Sequence, residues 1–336
     1  MKRRHFLTAT AAATALLAAP RLARAAGEAA RLAPALDAAR NLAQLHGLII
    51  AQDGKALLAE PIRGPRLDQP VNIKSISKSV ISALVGRAIG DGILPGPEAP
   101  VVALLEKRLP AEADPRLQRI TLDHLLSMRA GLERTSGPNY GAWVKSRNWV
   151  RHILSRPFVE EPGGPMLYST GSTHLLSAIL TDATGRSTLE LARAWLGEPL
   201  GIDIPAWERD PQGVYLGGNN MLLSPEGLLR FGEMYRQGGQ FDGKRVLPAD
   251  WVASSWRLRT TSRFTGHGYG YGWFIYELGG HPVYYAWGYG GQMIYIVPDL
   301  RLTVVVTSDP SAPSGRSGYA DDLHTLVARH IIPALG

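Results

Sequence analysis

Residues 74–79 of this 336-residue sequence read Lys-Ser-Ile-Ser-Lys-Ser and open a predicted helix over residues 75–89. Ser75 and Lys78 stand three residues apart, so both side chains point toward the same face of that helix. A serine hydroxyl is a weak nucleophile and needs a neighbouring base. Lysine can be that base when burial lowers its pKa, and N–H groups at a helix start can hold an oxyanion. The stretch indicates a nucleophilic serine beside a lysine base.

Taken alone, this Ser-x-x-Lys pattern has a second interpretation, because about one match is expected by chance in a chain of this length. Ser75 would then be a helix cap, and Lys78 would be a solvated surface charge. The surrounding sequence favours the catalytic interpretation, because the pattern opens an apolar helix after an N-terminal hairpin and two further segments follow it in order.

The first of these segments carries Tyr168, in a loop before an apolar helix predicted over residues 174–181. Its phenol could act as a general base or a proton relay. The alternative is a core aromatic whose hydroxyl has found a partner.

The second segment, residues 287–292, reads Trp-Gly-Tyr-Gly-Gly-Gln and precedes a strand predicted over residues 293–297. Glycines beside a strand edge let the backbone approach a ligand closely. A backbone N–H near Tyr289, Gly290 and Gly291 could therefore complete an oxyanion hole with the N–H of Ser75.

The pattern of apolar residues predicts an α+β fold. Strands are expected at both ends of the chain, with a hairpin at Asp53-Gly54 near the start and a meander over residues 269–307 near the end. Helical segments and loops fill the middle, and helices are predicted over residues 32–46 and 319–332. The simplest assembly is one antiparallel sheet built from both termini, covered by terminal helices and carrying a helical insert.

These features together resemble the serine β-lactamase and penicillin-binding-protein superfamily, nearest its class C-like branch. That branch includes D-alanyl-D-alanine peptidases, β-lactamase-fold carboxylesterases and enzymes similar to 6-aminohexanoate-dimer hydrolases. The resemblance covers about residues 35–335, and further support comes from residues 120–132, 217–220, 223–225 and 288–298. It implies a β-lactamase/transpeptidase-like fold, with Ser75 as acylated nucleophile, Lys78 as its base and Tyr168 as partner in proton transfer. It implies no metal or cofactor.

Two positions depart from the pattern of that superfamily. Its second motif is often Tyr-x-Asn, whereas position 170 is Thr, which cannot present an amide to a substrate. Its third motif in true β-lactamases is Lys-Thr-Gly, whereas no lysine occurs in residues 287–291. Such a lysine would bind the carboxylate common to β-lactams and peptide stems. Its absence favours an esterase or amidase.

Other candidates have equally plausible structural roles. Tyr140 could face the substrate or be an ordinary loop tyrosine. Asn219 and Asn220 could bind substrate, although a turn is the simpler interpretation. Four tryptophans could line the pocket or pack in the core: Trp143, Trp149, Trp273 and Trp287.

The charge of the whole chain suggests a basic protein, with 36 basic and 29 acidic residues, a net charge of +7 and a pI of about 9.7. Residues 1–25 explain most of it. They hold a basic start, an apolar run too short to span a membrane and the small-residue signature Ala23-Arg24-Ala25, as in an export signal. Removing their five basic residues from the 36 leaves 31 against 29 acidic residues, a net charge of +2. A nucleic-acid partner and a stable membrane anchor are therefore not expected.

Residues 3–7 read Arg-Arg-His-Phe-Leu and match the twin-arginine export pattern, with an ordinary Sec signal as the alternative. The absence of cysteine excludes a disulfide scaffold and a thiol nucleophile. We expect residues 26–336 to form one exported, periplasmic or secreted domain, with its sheet part near residues 32–70 and 260–336 and its helical part near 75–258.

The predicted activity is hydrolysis of a small or peptide-like ester or amide through a Ser75 acyl-enzyme. The alternatives are a D-Ala-D-Ala peptidase, a weak β-lactamase, or a non-catalytic peptidoglycan- or ligand-binding module of the same fold. The oligomeric state is left open.

Overall fold

The computed structural model describes residue 27 and residues 30–336 of the chain. The predicted export signal over residues 1–25 lies outside the described residues. Helix α1 covers residues 30–41 and ends five residues earlier than predicted, because residues 42–44 turn directly into the first strand. No described helix combines the length and apolar character needed to cross a membrane.

The remaining α-helices lie in the middle of the chain and at its C-terminal end. They are α2 Ser77–Gly90, α3 Val101–Leu104, α4 Leu122–Leu126, α5 Tyr140–Val144, α6 Trp149–Leu154, α7 Thr170–Thr184, α8 Thr188–Ala192, α9 Glu198–Leu200, α10 Pro225–Arg236, α11 Ala249–Ser255, α12 Tyr319–Leu326 and α13 Ile332–Leu335. Helix α10 begins with a serine cap, since Ser224 accepts a hydrogen bond from the N–H of Gly227 and Pro225 occupies the first turn.

Twelve short strands are present among the described residues. They are β1 Leu45–Gln52, β2 Lys55–Pro61, β3 Val71–Asn72, β4 Leu222–Leu223, β5 Gln240–Phe241, β6 Lys244–Arg245, β7 Thr260–Thr261, β8 Gly268–Tyr269, β9 Phe274–Leu278, β10 His281–Gly288, β11 Gln292–Val297 and β12 Leu302–Ser308. Eight of them form one antiparallel sheet in the order β2-β1-β12-β11-β10-β9-β8-β7. Strand β1 pairs directly with β12, which confirms the prediction of a sheet built from both ends of the chain.

Both faces of this sheet are buried. Along β12, Val304 and Val306 belong to a core cluster with the terminal helices, whereas Val305 belongs to the cluster shared with the helical part. This alternation follows from the two-residue period of side chains along a strand. Helix α10 packs on the second face, where Gly232 lies against Thr303 and Ile294. The sheet is thus the middle layer of an α+β fold.

Two elements differ from prediction. Within the meander predicted over residues 269–307, the first run, residues 269–278, is divided into β8 and β9, because the chain turns at Gly272, whose φ is 82°. A φ in this range favours glycine. The predicted C-terminal helix continues to Leu335 through a π-helical segment, Val327–Ile331.

The fold brings three distant segments to the N-terminal end of α2. Strand β3 ends two residues before Lys74 and pairs with β4, and the N–H of Ile73 donates to the carbonyl of Met221 at 3.0 Å. The end of β10 packs against the same turn, since Gly288 lies against the Ile73 carbonyl and the Lys74 side chain. Helix α7 and its preceding loop complete the enclosure.

Candidate active site

Ser75 lies in a single 3₁₀ turn, Lys74–Ile76, which leads into α2. Lys74 adopts a φ of 50°, a left-handed conformation that a lysine rarely takes. Its N–H donates to Asn72 Oδ1 at 2.9 Å, and its carbonyl accepts the Ser77 hydroxyl at 2.5 Å. These contacts fix a strained turn immediately before Ser75.

Lys78 is 2 % exposed, and its Nζ lies 3.0 Å from Ser75 Oγ. The Nζ also donates to the carbonyl of Gly218 at 2.6 Å and contacts Thr170 Oγ1 at 3.4 Å. Burial lowers the pKa of Lys78 to about 7, because desolvation disfavours the ammonium form. A substantial fraction of Lys78 is therefore neutral near pH 7 and able to accept a proton.

Tyr168 presents the face of its ring to this lysine, with Lys78 Nζ 4.8 Å from the ring centroid. Burial raises the pKa of Tyr168 to about 12, and a side-chain interaction with Ser75 opposes the rise. The phenol is therefore protonated near neutral pH. This favours a proton relay over a phenolate base, and the ring face can stabilise a protonated Lys78.

The loop residues Thr135 and Ser136 hold the segment that carries Tyr168. The N–H groups of Thr170 and Gly171 donate to Ser136 Oγ at 2.8 Å and to Thr135 Oγ1 at 2.9 Å. These bonds satisfy two N–H groups at the start of α7, which have no partner within the helix. Sequence reasoning did not identify this pair, because its partners lie about 34 residues further along the chain.

The glycine-rich segment forms the turn between β10 and β11. Tyr289 is half exposed at its tip, whereas Gly290 and Gly291 have φ values of 87° and 93° and pack against the Asp309 backbone and the Tyr319 ring. The residue of this segment that touches the turn before Ser75 is Gly288. A side chain there would collide with the Ile73 carbonyl, which lies 2.4 Å from an ideal Cβ position.

Tyr140 and Asn219 lie together beside the lysine. Asn219 Nδ2 donates to the Tyr140 hydroxyl at 3.3 Å, and Asn219 directly follows Gly218, whose carbonyl accepts from Lys78. Burial raises the pKa of Tyr140. Asn220 has a φ of 62°, as expected for a turn, and its side chain bonds to Asn72 and Glu208.

Most of the tryptophans are core residues. Trp143, Trp149 and Trp273 are at most 3 % exposed. Trp287 is half buried on β10, where its indole N–H donates to Ser314 Oγ at 3.2 Å. Of these four tryptophans, Trp287 directly precedes Gly288, the residue that contacts the turn before Ser75.

The structure thus brings together five of the predicted residues: Ser75, Lys78, Tyr168, Tyr140 and Asn219. It adds Gly218, Thr170 and Ser136 around Lys78 and Gly288 beside the Ser75 turn. Within residues 27 and 30–336, no group of three or more His, Asp or Glu side chains is arranged to hold a metal ion. A buried, partly neutral amine in contact with a serine hydroxyl can activate that serine as a nucleophile.

Comparison with known proteins assigns the chain to a family. The family model described as Beta-lactamase matches residues 37–329, which is most of the chain. SurE has the same fold, with a TM-score of 0.72 and 20 % identity over 93 % of this chain and 77 % of that one.

Two further solved structures share the fold. EstCE1, described as a hydrolase with promiscuous acyltransferase activity, has a TM-score of 0.70 and 19 % identity, covering 90 % of this chain and 99 % of that one. The octameric penicillin-binding protein homologue from Pyrococcus abyssi has a TM-score of 0.67 and 20 % identity, covering 86 % and 74 %. From the family match and the site, we conclude that the chain belongs to the beta-lactamase family and is a serine hydrolase.

Proposed function

We propose that this enzyme hydrolyses an ester or amide through an acyl-enzyme on Ser75, with Lys78 as the base. The observation that carries the proposal is the 3.0 Å contact between Ser75 Oγ and the buried Lys78 Nζ. Lys78 Nζ takes the hydroxyl proton while Ser75 Oγ attacks the carbonyl carbon. The resulting ammonium keeps the Gly218 carbonyl as acceptor and lies over the Tyr168 ring.

Collapse of the tetrahedral intermediate releases the leaving group, which must receive a proton. Tyr168 is suited to pass that proton from Lys78, because its raised pKa keeps the phenol protonated. Water then attacks the acyl-enzyme with the same groups in reverse. The backbone N–H of Ser75 and an N–H of the turn around Tyr289 hold the oxyanion in both steps.

The composition of the site favours an acyl substrate without a carboxylate next to the scissile bond. Residues 287–291 stand where a true β-lactamase carries a lysine, and no side chain in this segment offers a positive charge to a carboxylate. Thr170 offers no amide. We therefore propose short esters and linear amides as substrates, ahead of β-lactams and D-Ala-D-Ala peptides.

Intact-protein mass spectrometry with a fluorophosphonate tests the nucleophile. Wild-type protein should gain one adduct, and the Ser75→Ala variant should gain none. An adduct that survives in Ser75→Ala would exclude Ser75 as the nucleophile.

Turnover of p-nitrophenyl acetate and butyrate tests the base. Lys78→Ala should lose at least about a hundredfold in kcat, as expected for removal of a general base. Lys244→Ala removes an exposed lysine on β6 and is the matched control, expected to keep wild-type activity. Wild-type rates in Lys78→Ala would contradict the mechanism. A panel adding linear amides, a cephalosporin and a D-Ala-D-Ala peptide would then rank the substrates.

We also propose that the enzyme is exported through the twin-arginine route, on the strength of residues 3–7 and the small-residue site at 23–25. Fractionation of cells expressing the full chain tests this. Replacing Arg3 and Arg4 by lysine should retain the precursor in the cytoplasm, whereas export that persists through the pair of substitutions favours a Sec signal.

A further inference from the structure

The mechanism above does not use Ser136. Its hydroxyl is nevertheless close to Lys78, with only the Thr170 hydroxyl between them. Its Oγ lies 2.9 Å from Thr170 Oγ1 and accepts the Thr170 N–H at 2.8 Å. Thr170 Oγ1 in turn lies 3.4 Å from Lys78 Nζ. Ser136 is therefore joined to Lys78 through one intervening hydroxyl.

The link matters because the neutral Lys78 amine has a fixed number of hydrogen-bond donors and acceptors. A neutral lysine amine has two N–H donors and one lone pair. The structure provides two acceptors for the donors, the Gly218 carbonyl and Thr170 Oγ1, and the lone pair is then free for the Ser75 hydroxyl. This holds only while Thr170 Oγ1 acts as an acceptor toward Nζ. If its own O–H turned toward Nζ, it would occupy the lone pair that the Ser75 proton needs.

We propose that Ser136 is a positioning residue for the general base. Its Oγ accepts a hydrogen bond from the Thr170 hydroxyl, and this bond keeps the Thr170 O–H from pointing at Lys78 Nζ. The fixed N–H bond from Thr170 holds Ser136 Oγ in place for this role. The neighbouring bond from the Gly171 N–H to Thr135 Oγ1 fixes the loop as a whole. The inference rests on the proposed role of Lys78 as the base.

The surroundings of Lys78 make this arrangement sensitive to one hydroxyl. Tyr168 is the titratable side chain that faces Nζ, and its phenol is neutral at the relevant pH. Burial is the cause of the lowered pKa of Lys78, with no contribution from a charged partner among the described residues. At a fixed burial, the hydrogen bonds to Nζ decide which protonation state of Lys78 is favoured.

The experiment measures the rate of Ser75 labelling by a fluorophosphonate from pH 5 to 10. Ser136→Ala frees the Thr170 hydroxyl to donate to neutral Lys78, which favours the neutral form but occupies its lone pair. We expect the plateau rate to fall about tenfold, and the acidic limb to move down by roughly 0.5 to 1 pH unit. A variant that only loosens the site would admit water and move that limb upward, toward the ordinary pKa of lysine.

Four companion variants sharpen the test. Ser136→Thr retains the hydroxyl and should recover most of the rate. Thr170→Val should reduce the rate, and the double variant Ser136→Ala/Thr170→Val should be no slower than Thr170→Val, because Ser136 acts through Thr170. Thr181→Val removes a hydroxyl three turns further along α7 and is the matched control, expected to leave rate and pH profile unchanged.

The proposal is wrong if Ser136→Ala keeps the wild-type profile, if its acidic limb moves upward, or if its effect adds fully to that of Thr170→Val. Should Ser136→Ala fail to fold, Thr170→Ser and Thr170→Val give the same comparison, because only the first retains the relay hydroxyl. Wild-type protein that is not labelled at all would instead refute the proposed function. The pKa of Lys78 would then be read from ¹³Cε signals of the seven lysines, and no downward shift in Ser136→Ala would refute this inference separately.

Discussion

Lys78 lies in the interior at the start of α2, and burial lowers its pKa to about 7. Its neutral form is the one that can accept the Ser75 proton. We therefore expect kcat/KM for a p-nitrophenyl ester to rise with pH along a single limb centred near pH 7. Tyr168, with a pKa of about 12, should add no limb below pH 10. A limb centred near pH 4 to 5 would indicate that a carboxylate is the base.

The same lysine should reduce the stability of the fold. Between pH 7 and about 10.5 the unfolded chain holds a proton on Lys78 that the folded chain lacks, so the free energy of unfolding rises with pH through that window. Below pH 7 Lys78 is protonated in the folded chain as well, and the buried ammonium then lowers the free energy of unfolding by its full amount.

Lys78→Met should therefore abolish activity and raise the free energy of unfolding at pH 6 to 7 by roughly 1–3 kcal/mol. Loss of the bond to Gly218 offsets part of the gain. Urea denaturation at pH 6 and pH 9.5 measures the effect, and the difference from wild type should shrink at the higher pH. A variant less stable than wild type at both values would contradict this account.

The sequence alone predicts that Ser75 and Lys78 share one face of a helix, because their three-residue spacing places both side chains together, and the structure has their polar atoms 3.0 Å apart. The sequence could not predict that Gly218 and Thr170 complete the surroundings of Lys78. Those contacts depend on how loops distant in the chain pack together, and the sequence around Lys78 contains no sign of that packing. Trp143 shows the opposite case: an aromatic near a candidate site whose ring proves to be part of the core.

The hairpin of β10 and β11 is the element that closes the site against the Ser75 turn. Gly288 is the point of contact, and a Cβ there would lie 2.4 Å from the Ile73 carbonyl and 3.1 Å from the Lys74 Cβ. Neither atom belongs to the far end of a flexible side chain, so the strand itself would have to move.

Gly288→Ala should therefore lower kcat for ester hydrolysis by about tenfold or more, since small displacements of positioning groups have large effects on rate. Its cost in stability should resemble that of other overpacked variants, about 1–3 kcal/mol. Gly96→Ala, at a glycine with open space around its Cβ position, is the control for both measurements. Wild-type kcat in Gly288→Ala would show that this contact does not position the nucleophile.

At the scale of elements, local patterns predict most of the helices and strands. The exception at residues 269–278 has a tertiary cause. Gly272 turns the chain where a Cβ would crowd the Lys78 carbonyl and the Ser79 backbone, and the Ser79 hydroxyl donates to the Gly272 carbonyl at 2.6 Å. The alternating Tyr and Gly residues from 269 to 272 contain no sign of that approach.

Across the whole molecule, Asp123 joins the helical part to the edge of the sheet. This carboxylate is 4 % exposed and accepts hydrogen bonds from Arg129 at 2.6 Å, Arg259 at 2.8 Å and the Tyr271 hydroxyl at 2.6 Å. Helix α4 carries the acid, whereas Arg259 directly precedes β7 and Tyr271 follows β8. Desolvation and Asp123 both raise the pKa of Tyr271, which stays a donor.

Asp123→Ala removes a buried carboxylate, leaves two partly buried guanidinium groups without it, and should lower the free energy of unfolding by about 3–5 kcal/mol. Asp182→Ala breaks the more exposed pair with Arg108 and should cost no more than about 1 kcal/mol. Urea denaturation at pH 7 compares the two. Equal losses would mean that the Asp123 cluster stabilises the fold no more than a surface pair.

The pairing of β1 with β12 also determines when the sheet can form during synthesis of the chain. The two strands are separated by about 250 residues, so Leu45–Gln52 leaves the ribosome long before Leu302–Ser308 exists. At roughly 5–20 residues per second, that interval lasts roughly 12–50 seconds. During it the β1–β2 hairpin presents an unpaired edge, which is a template for aggregation. A chain interrupted before its last tenth is synthesised would carry the Ser75 segment complete and still be unable to finish its sheet.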